Sequence, residues 1–188
     1  ERAKELARSD DPAVRAALAE RKDVSPELLY YLAEDTSVEV RRAVAINQAA
    51  PRHTDLLLAR DVDAGVRSSL AQKIAMVAPN LSVEESAKVR SQTRDALEAL
   101  ANDQITKVRA ILSDALKDVV DAPPDIIGIL ARDVEIEVSG PVLEFSPVLT
   151  DTDLIEIIER GPADGGIAAI ARRNKVSENL AAAIIGTD

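Results

Sequence analysis

The sequence predicts an all-α solenoid of about six stacked helical pairs, and three observations carry that expectation. A short motif recurs in register along the chain, helix-start signals precede the helical stretches, and the apolar residues are almost all aliphatic. The motif reads Leu6-Ala7-Arg8-Ser9 with Val14-Arg15, then Leu32-Ala33-Glu34-Asp35 with Val40-Arg41, and Leu58-Ala59-Arg60-Asp61 with Val66-Arg67. Leu100-Ala101-Asn102-Asp103 with Val108-Arg109 follows, then Leu130-Ala131-Arg132-Asp133 with Val138-Ser139. The anchor leucines are 26, 26, 42 and 30 residues apart. A fixed internal period of this size is the signature of a repeat architecture, in which a unit too small to bury its own core stacks on its neighbours.

Each unit reads as two helices. Asp11-Pro12, Ser25-Pro26-Glu27, Ser82-Val83-Glu84-Glu85, Thr150 with Asp153, and Ser177-Glu178 all place an oxygen-bearing cap or a proline where a helix would begin. Gly161-Pro162 is a helix stop. A sixth, degenerate unit is anchored at Ile158, and its later part, Ala171 to Ser177, matches Ala19 to Ser25 of the first. The long step in the third unit predicts a loop from about Val77 to Ser82, with a charged helix after it. Val134 to Val138 alternates with the period of a strand, but the repeat register assigns a helix start there, with Pro141 inside the helix and expected to kink it.

Residues 1–188 fit one domain, long enough to bury a core. With 46% hydrophobic and 30% charged residues the composition is that of a folded, water-soluble chain. No apolar run reaches the roughly 18 residues of a membrane helix. The chain starts at Glu1 rather than Met, so it is expected to be part of a longer protein. The absence of cysteine removes disulfides, thiolate metal sites and a cysteine nucleophile, and suits a reducing, cytoplasmic compartment. A net charge of −10 opposes phosphate backbones and favours a basic or neutral protein partner over nucleic acid or membrane. Tyr30, Tyr31 and Phe145 are the only aromatics, leaving the core to leucine, isoleucine, valine and alanine, which suit helices.

The Leu-Ala-x-Asp-x4-Val-Arg pattern resembles HEAT and leucine-rich-variant repeats. The stretches Pro141 to Ile158 and Ile170 to Ser177 look like a bacterial HEAT-like family catalogued as domain of unknown function number 2336. That resemblance implies a right-handed α-solenoid of HEAT-like pairs in a cytoplasmic bacterial protein. It implies no activity and no cofactor. The iron–sulfur cluster of some leucine-rich-variant proteins needs cysteines that this chain lacks.

Two groups of side chains stand out as candidates for a role. Asp35 with Arg41, Asp61 with Arg67, and Asp103 with Arg109 set a carboxylate before each first helix and a guanidinium on it. They read as a structural ladder linking neighbouring units, broken at Ser9 and Ser139, rather than as a ligand-binding arginine row. Aligning the second helices on their anchor gives the other group. Two residues before the anchor stand Tyr30, Leu56, Glu98, Gly128, Glu156 and Ala182, an outward row. The next position is apolar throughout, from Tyr31 and Leu57 to Ala183, and is expected to be core. Three residues before the outward row come Glu27, His53, Asp95, Asp125, Asp153 and Asn179, and four after it Glu34, Arg60, Asn102, Arg132 and Arg160. These share one ridge.

The ridge predicts a partner surface anchored at Tyr30, with Asp95, Glu98, Asp153 and Glu156 as an acidic stripe. Acid at helix starts and arginine at helix ends also suits the helix dipole without any partner. His53, the only histidine, reads as a surface residue. The pairs Glu84-Glu85, Asp151 with Asp153, and Glu135 with Glu137 read as solvated faces or helix starts rather than acid–base couples. No metal or catalytic site is expected. The leading function is a non-enzymatic interaction scaffold. A HEAT-like DNA-binding or glycosylase-type enzyme would need a basic groove and aromatics to hold a flipped base. Self-association through the solenoid ends is a third class.

Overall fold

The computed structural model describes the backbone of residues 2–77 and 87–187, and the side chains of residues 2–74, 91 and 93–187. Among the described residues every regular element is a helix. The expected loop from Val77 to Ser82 lies outside them save for Val77, and so do the capping box Ser82–Glu85 and the pair Glu84-Glu85.

Second and first helices alternate along the chain. The second helices, which carry the anchor positions, are α1 (Arg2–Ala7), α3 (Pro26–Ala33), α5 (Arg52–Ala59), α7 (Ala87–Ala101), α9 (Pro124–Ala131), α11 (Asp151–Arg160) and α13 (Glu178–Ile185). Between them lie the first helices α2 (Pro12–Ala19), α4 (Val38–Ile46), α6 (Ala64–Val77), α8 (Thr106–Leu116), α10 (Ile136–Phe145) and α12 (Gly166–Ala171).

Contacts divide the chain into two compact units, 1–100 and 101–188. In the first unit α4 packs between α2 and α6, α3 touches α5, and α1, α3 and α5 lie against neighbouring first helices. In the second unit α10 packs against α8, α9 and α12, and α11 against α13.

The helix starts follow their chemistry. Asp11 caps α2 by accepting from the Ala13 amide at 2.9 Å, with Pro12 at the position whose missing N–H costs nothing. Thr150 and Asp153 form the reciprocal capping box of α11, and Ser177 accepts from the Leu180 amide at 3.2 Å. Gly161, at φ 80°, ends α11 in a conformation costly for a side chain-bearing residue. The alternating stretch Val134 to Val138 leads into α10, as the repeat register requires, with Glu135 as its cap residue. Pro141 lies inside that helix, which continues to Phe145.

The core is aliphatic. Leu32, Leu58, Leu100 and Leu130, four of the five anchor leucines, are fully buried, as are Val40, Val66, Val108 and Val138 eight residues after them, whereas Leu6 and Val14 of the first unit are half-buried. Beside each anchor a buried alanine (Ala33, Ala59, Ala101, Ala131) provides a small surface on which a neighbouring helix can lie close. Leu130→Ala should therefore cost about 2–5 kcal/mol in a denaturant melt. Val62→Ala, at a loop position 93% exposed, should stay within about 0.5 kcal/mol. Equal losses would mean that the anchor row is not the core.

Candidate interaction surface

Three first helices, α2, α4 and α8, carry an arginine whose forked contact joins two repeats. Arg41 donates through Nε and Nη2 to both carboxylate oxygens of Asp61, at 2.6 and 3.0 Å. Its Nη1 turns back to the carbonyls of Asp35 and Thr36 at 2.9 and 3.2 Å. Arg15 does the same with Asp35, at 2.7 and 2.9 Å, and with the Ser9 carbonyl at 2.6 Å. In the second unit Arg109 holds Asp133 at 2.6 and 3.1 Å and the Asp103 carbonyl at 2.7 Å. Arg67 donates to the carbonyls of Asp61 and Val62.

The pairing differs from the one expected from spacing. Arg41 does not bind the carboxylate of Asp35, six residues before it, but that of Asp61, twenty residues after it. Only the carbonyl of the nearer aspartate is used. The reason is geometric. The nearer carboxylates of Asp35 and Asp61 are already taken by the arginine of the preceding repeat, and in each aspartate Oδ1 also accepts from the amide two residues on: Ser37 for Asp35, Asp63 for Asp61, Ile105 for Asp103 and Glu135 for Asp133. Asp35, Asp61 and Asp133 thus shape the approach to one first helix while receiving the arginine of the preceding one. Ser9 and Ser139 then cease to be irregular. Arg15 needs only a carbonyl from residue 9, and at Ser139 the following unit has Gly161-Pro162 in place of an aspartate.

The opposite ends of the first helices are pinned by residues that spacing did not single out. Asn47, buried at the end of α4, donates to the carbonyls of Ala19 and Arg21 at 2.6 and 2.9 Å and accepts from the Ala49 amide. In the second unit Arg173 donates to the carbonyls of Leu143 and Ser146, both at 2.7 Å, and burial holds its guanidinium pKa below the ordinary value. These are the carbonyls a helix terminus leaves without partners, satisfied here from the next repeat.

The outward face of the second helices is only partly as expected. Tyr30 is exposed, but Tyr31, expected in the core, is more so, at 56%, and Leu57 at the same repeat position is 38% exposed. Helical rotation of about 100° per residue explains the correction. The buried stripe of α3 runs through Leu29, Leu32 and Ala33, so the residue before the anchor points almost directly away from it. Apolar identity at that position does not fix burial, and Ala99, Ile129 and Ala183 there are only half-buried. In α11 the stripe turns the other way, through Leu154, Ile157 and Ile158, and there the same position is buried. Gly128, expected outward, is buried because Arg132 folds back over it, with Nη1 donating to its carbonyl at 3.1 Å.

The acidic stripe divides as well. Asp95 and Glu98 on α7 are exposed. Asp153 is committed to its cap, accepting from the Thr150 amide and hydroxyl at 2.9 and 2.6 Å, and these bonds hold its carboxyl below the usual range. Glu156 sits between Arg132 at 3.3 Å and Arg160 at 2.7 Å, so its charge is matched within its own unit. His53 is exposed, as expected, but its ring meets that of Tyr30 at 5.0 Å between centroids. Tyr30, Tyr31, His53 and Leu57 thus sit on the adjacent helices α3 and α5. Tyr31 also lines a shallow cleft of about 380 Å³ with Arg8, Arg15, Glu34 and Thr36. Among the described residues no three His, Asp or Glu side chains gather closely enough to hold a metal ion.

Alternating helices joined by one recurring arginine–aspartate fork define a helical repeat protein. Residues 138–188 match the model of a family described as an uncharacterised protein conserved in bacteria, domain of unknown function 2336. Among solved structures, a leucine-rich repeat variant described as having a novel repetitive protein structural motif is similar over 99% of this chain and 80% of its own, at 22% identity and a TM-score of 0.35. No curated protein matches the chain.

Two outcomes test the fork. Arg41→Ala should cost about 1–3 kcal/mol, because it strips a charged donor from a nearly buried Asp61. Arg21→Ala, which removes an exposed pair within one loop, should leave the melting curve unchanged. Asp35 gives a pH dependence. The Arg15 guanidinium, helped by the Ser37 amide and opposed by burial, holds its carboxyl below the ordinary value. Its contribution is then complete above the unfolded pKa of about 3.9 and is lost as pH falls through the lower folded value. Asp35→Asn should be less stable than the wild type at pH 7, with the gap closing in melts below about pH 4. A gap of constant size down to pH 2 would contradict the assignment.

Proposed function

We propose that this chain is a non-enzymatic protein-interaction scaffold, a right-handed solenoid of about six HEAT-like pairs that docks a partner on the ridge of its second helices. The observation that carries this reading is the placement of Tyr30, Tyr31 and Leu57. Three large side chains stand exposed on adjacent second helices in a chain with only three aromatic residues. Tyrosine supplies large contact area at low entropic cost and is enriched among residues that dominate binding energy. The cleft beside Tyr31 offers a place for a side chain of the partner, with Arg8 and Glu34 at its rim.

The partner we propose is a protein segment with apolar anchors and basic flanks. Glu27 and Glu34 border the tyrosines on α3, and Asp95 and Glu98 lie on the outer face of α7 in the same unit. Together with the net charge of −10 they would steer a basic segment, an attraction that salt weakens. The docking surface we propose is centred on the first unit, where the exposed tyrosines and Leu57 lie. A cytoplasmic location in a bacterium goes with this reading as an expectation.

A photo-crosslinking amino acid at Tyr31, introduced in the source cell, tests it. A discrete protein adduct is expected there and not with the same group at Ala17, an exposed position on α2. Leu57→Asp should abolish the adduct while the melting temperature hardly moves. Adducts of equal yield at both positions, or adducts indifferent to Leu57→Asp, would refute docking on this ridge.

A further inference from the structure

The core of the first unit contains a charge where its sister repeats carry hydrocarbon. Three residues before the anchor stand Leu29 in α3, Leu97 in α7 and Ile127 in α9, all buried. The equivalent residue of α5 is Asp55, 1% exposed, preceded by the fully buried Thr54. The Asp55 Oδ1 atom receives the ammonium of Lys73, itself buried among the core residues Leu70, Ala71 and Ile74 of α6. The other carboxylate oxygen, Oδ2, and the Thr54 hydroxyl are buried and find no hydrogen-bond partner among the described residues.

This arrangement is poor value for the fold. Burying two ions requires taking both from water, and their attraction offsets that cost only when the remaining lone pairs and protons are also satisfied. Here one carboxylate oxygen and a neighbouring hydroxyl are not. Desolvation dominates over Lys73 at Asp55 and pushes its carboxyl above the ordinary range. An aliphatic pair of similar volume, as the sister repeats illustrate on the second-helix side, would fill the same space without that cost.

We infer that the Asp55–Lys73 pair is a built-in weak joint between α5 and α6, at which the first unit opens before it opens elsewhere. The joint lies on the inner face of the same two turns whose outer face carries His53 and Leu57. It exists whether or not a partner docks there. Opening would move these two residues relative to the tyrosines of α3.

Native-state hydrogen exchange on the intact chain tests the joint directly. Amides of α5 and of residues 66–74 in α6 should show at least about tenfold lower protection than those of α2 and α4. Asp55→Leu combined with Lys73→Met should raise the melting temperature by about 4 °C or more, and should slow exchange at the joint by about tenfold with a smaller effect in α2. Each single substitution, which leaves one buried ion alone, should lower it. A double variant that melts below the wild type or does not fold would overturn the inference. So would wild-type protection at the joint equal to that of α2 and α4.

Discussion

An arginine that reaches forward twenty residues to a carboxylate and back six to a carbonyl is the contact on which the repeats of this protein depend. Two helices of eight to ten residues bury little by themselves, and apolar contact alone does not fix how far one pair slides against the next. The planar guanidinium does, because its two parallel donors accept only one placement of the following aspartate. The same aspartate shapes the turn before its own first helix. A register set between repeats is thereby passed to the start of the next helix. Asn47 and Arg173 act at the far ends of α2 and α10, so α2 is held at both termini by polar contacts and α10 at its end, with leucine and valine between.

This division of labour leaves the outer faces of the second helices free of structural duty in some places and not in others. In α11, Asp153 closes a capping box and Glu156 balances two arginines. In α3 the corresponding positions are a glutamate and a tyrosine exposed to solvent. A second tyrosine beside them has its ring in the open, although its repeat position is otherwise apolar. Exposed apolar area with no internal use is where a binding surface is most economically placed.

The third repeat departs from the others in length and in core chemistry at once. Its step to the next anchor is 42 residues, its first helix runs to fourteen, and its second-helix partner α5 carries Asp55 at a leucine position. A paired charge in that place is intolerant of sliding, since any shift leaves an ion alone in hydrocarbon. That is a reason for an ion pair to persist at some expense of stability.

By itself the sequence determined the helical class, the alternation of helices, several helix starts and most anchor leucines, because each is a local property or a repeat of one. Asp11, Thr150 with Asp153, and Ser177 cap their helices as their spacing foretells. It also named the arginines and aspartates of the fork but mated each arginine with the nearer aspartate. Only the tertiary structure decided that the carboxylate comes from the following repeat, since the separation that matters is between stacked turns and not along the chain. Tyr31 was misplaced for a related reason. Apolar identity says that a side chain can be buried, while the rotation of its helix about the anchor decides whether it is. The contact of Tyr30 with His53 and the burial of Asp55 against Lys73 had no signal in spacing, because each joins helices whose relative rotation is fixed by packing.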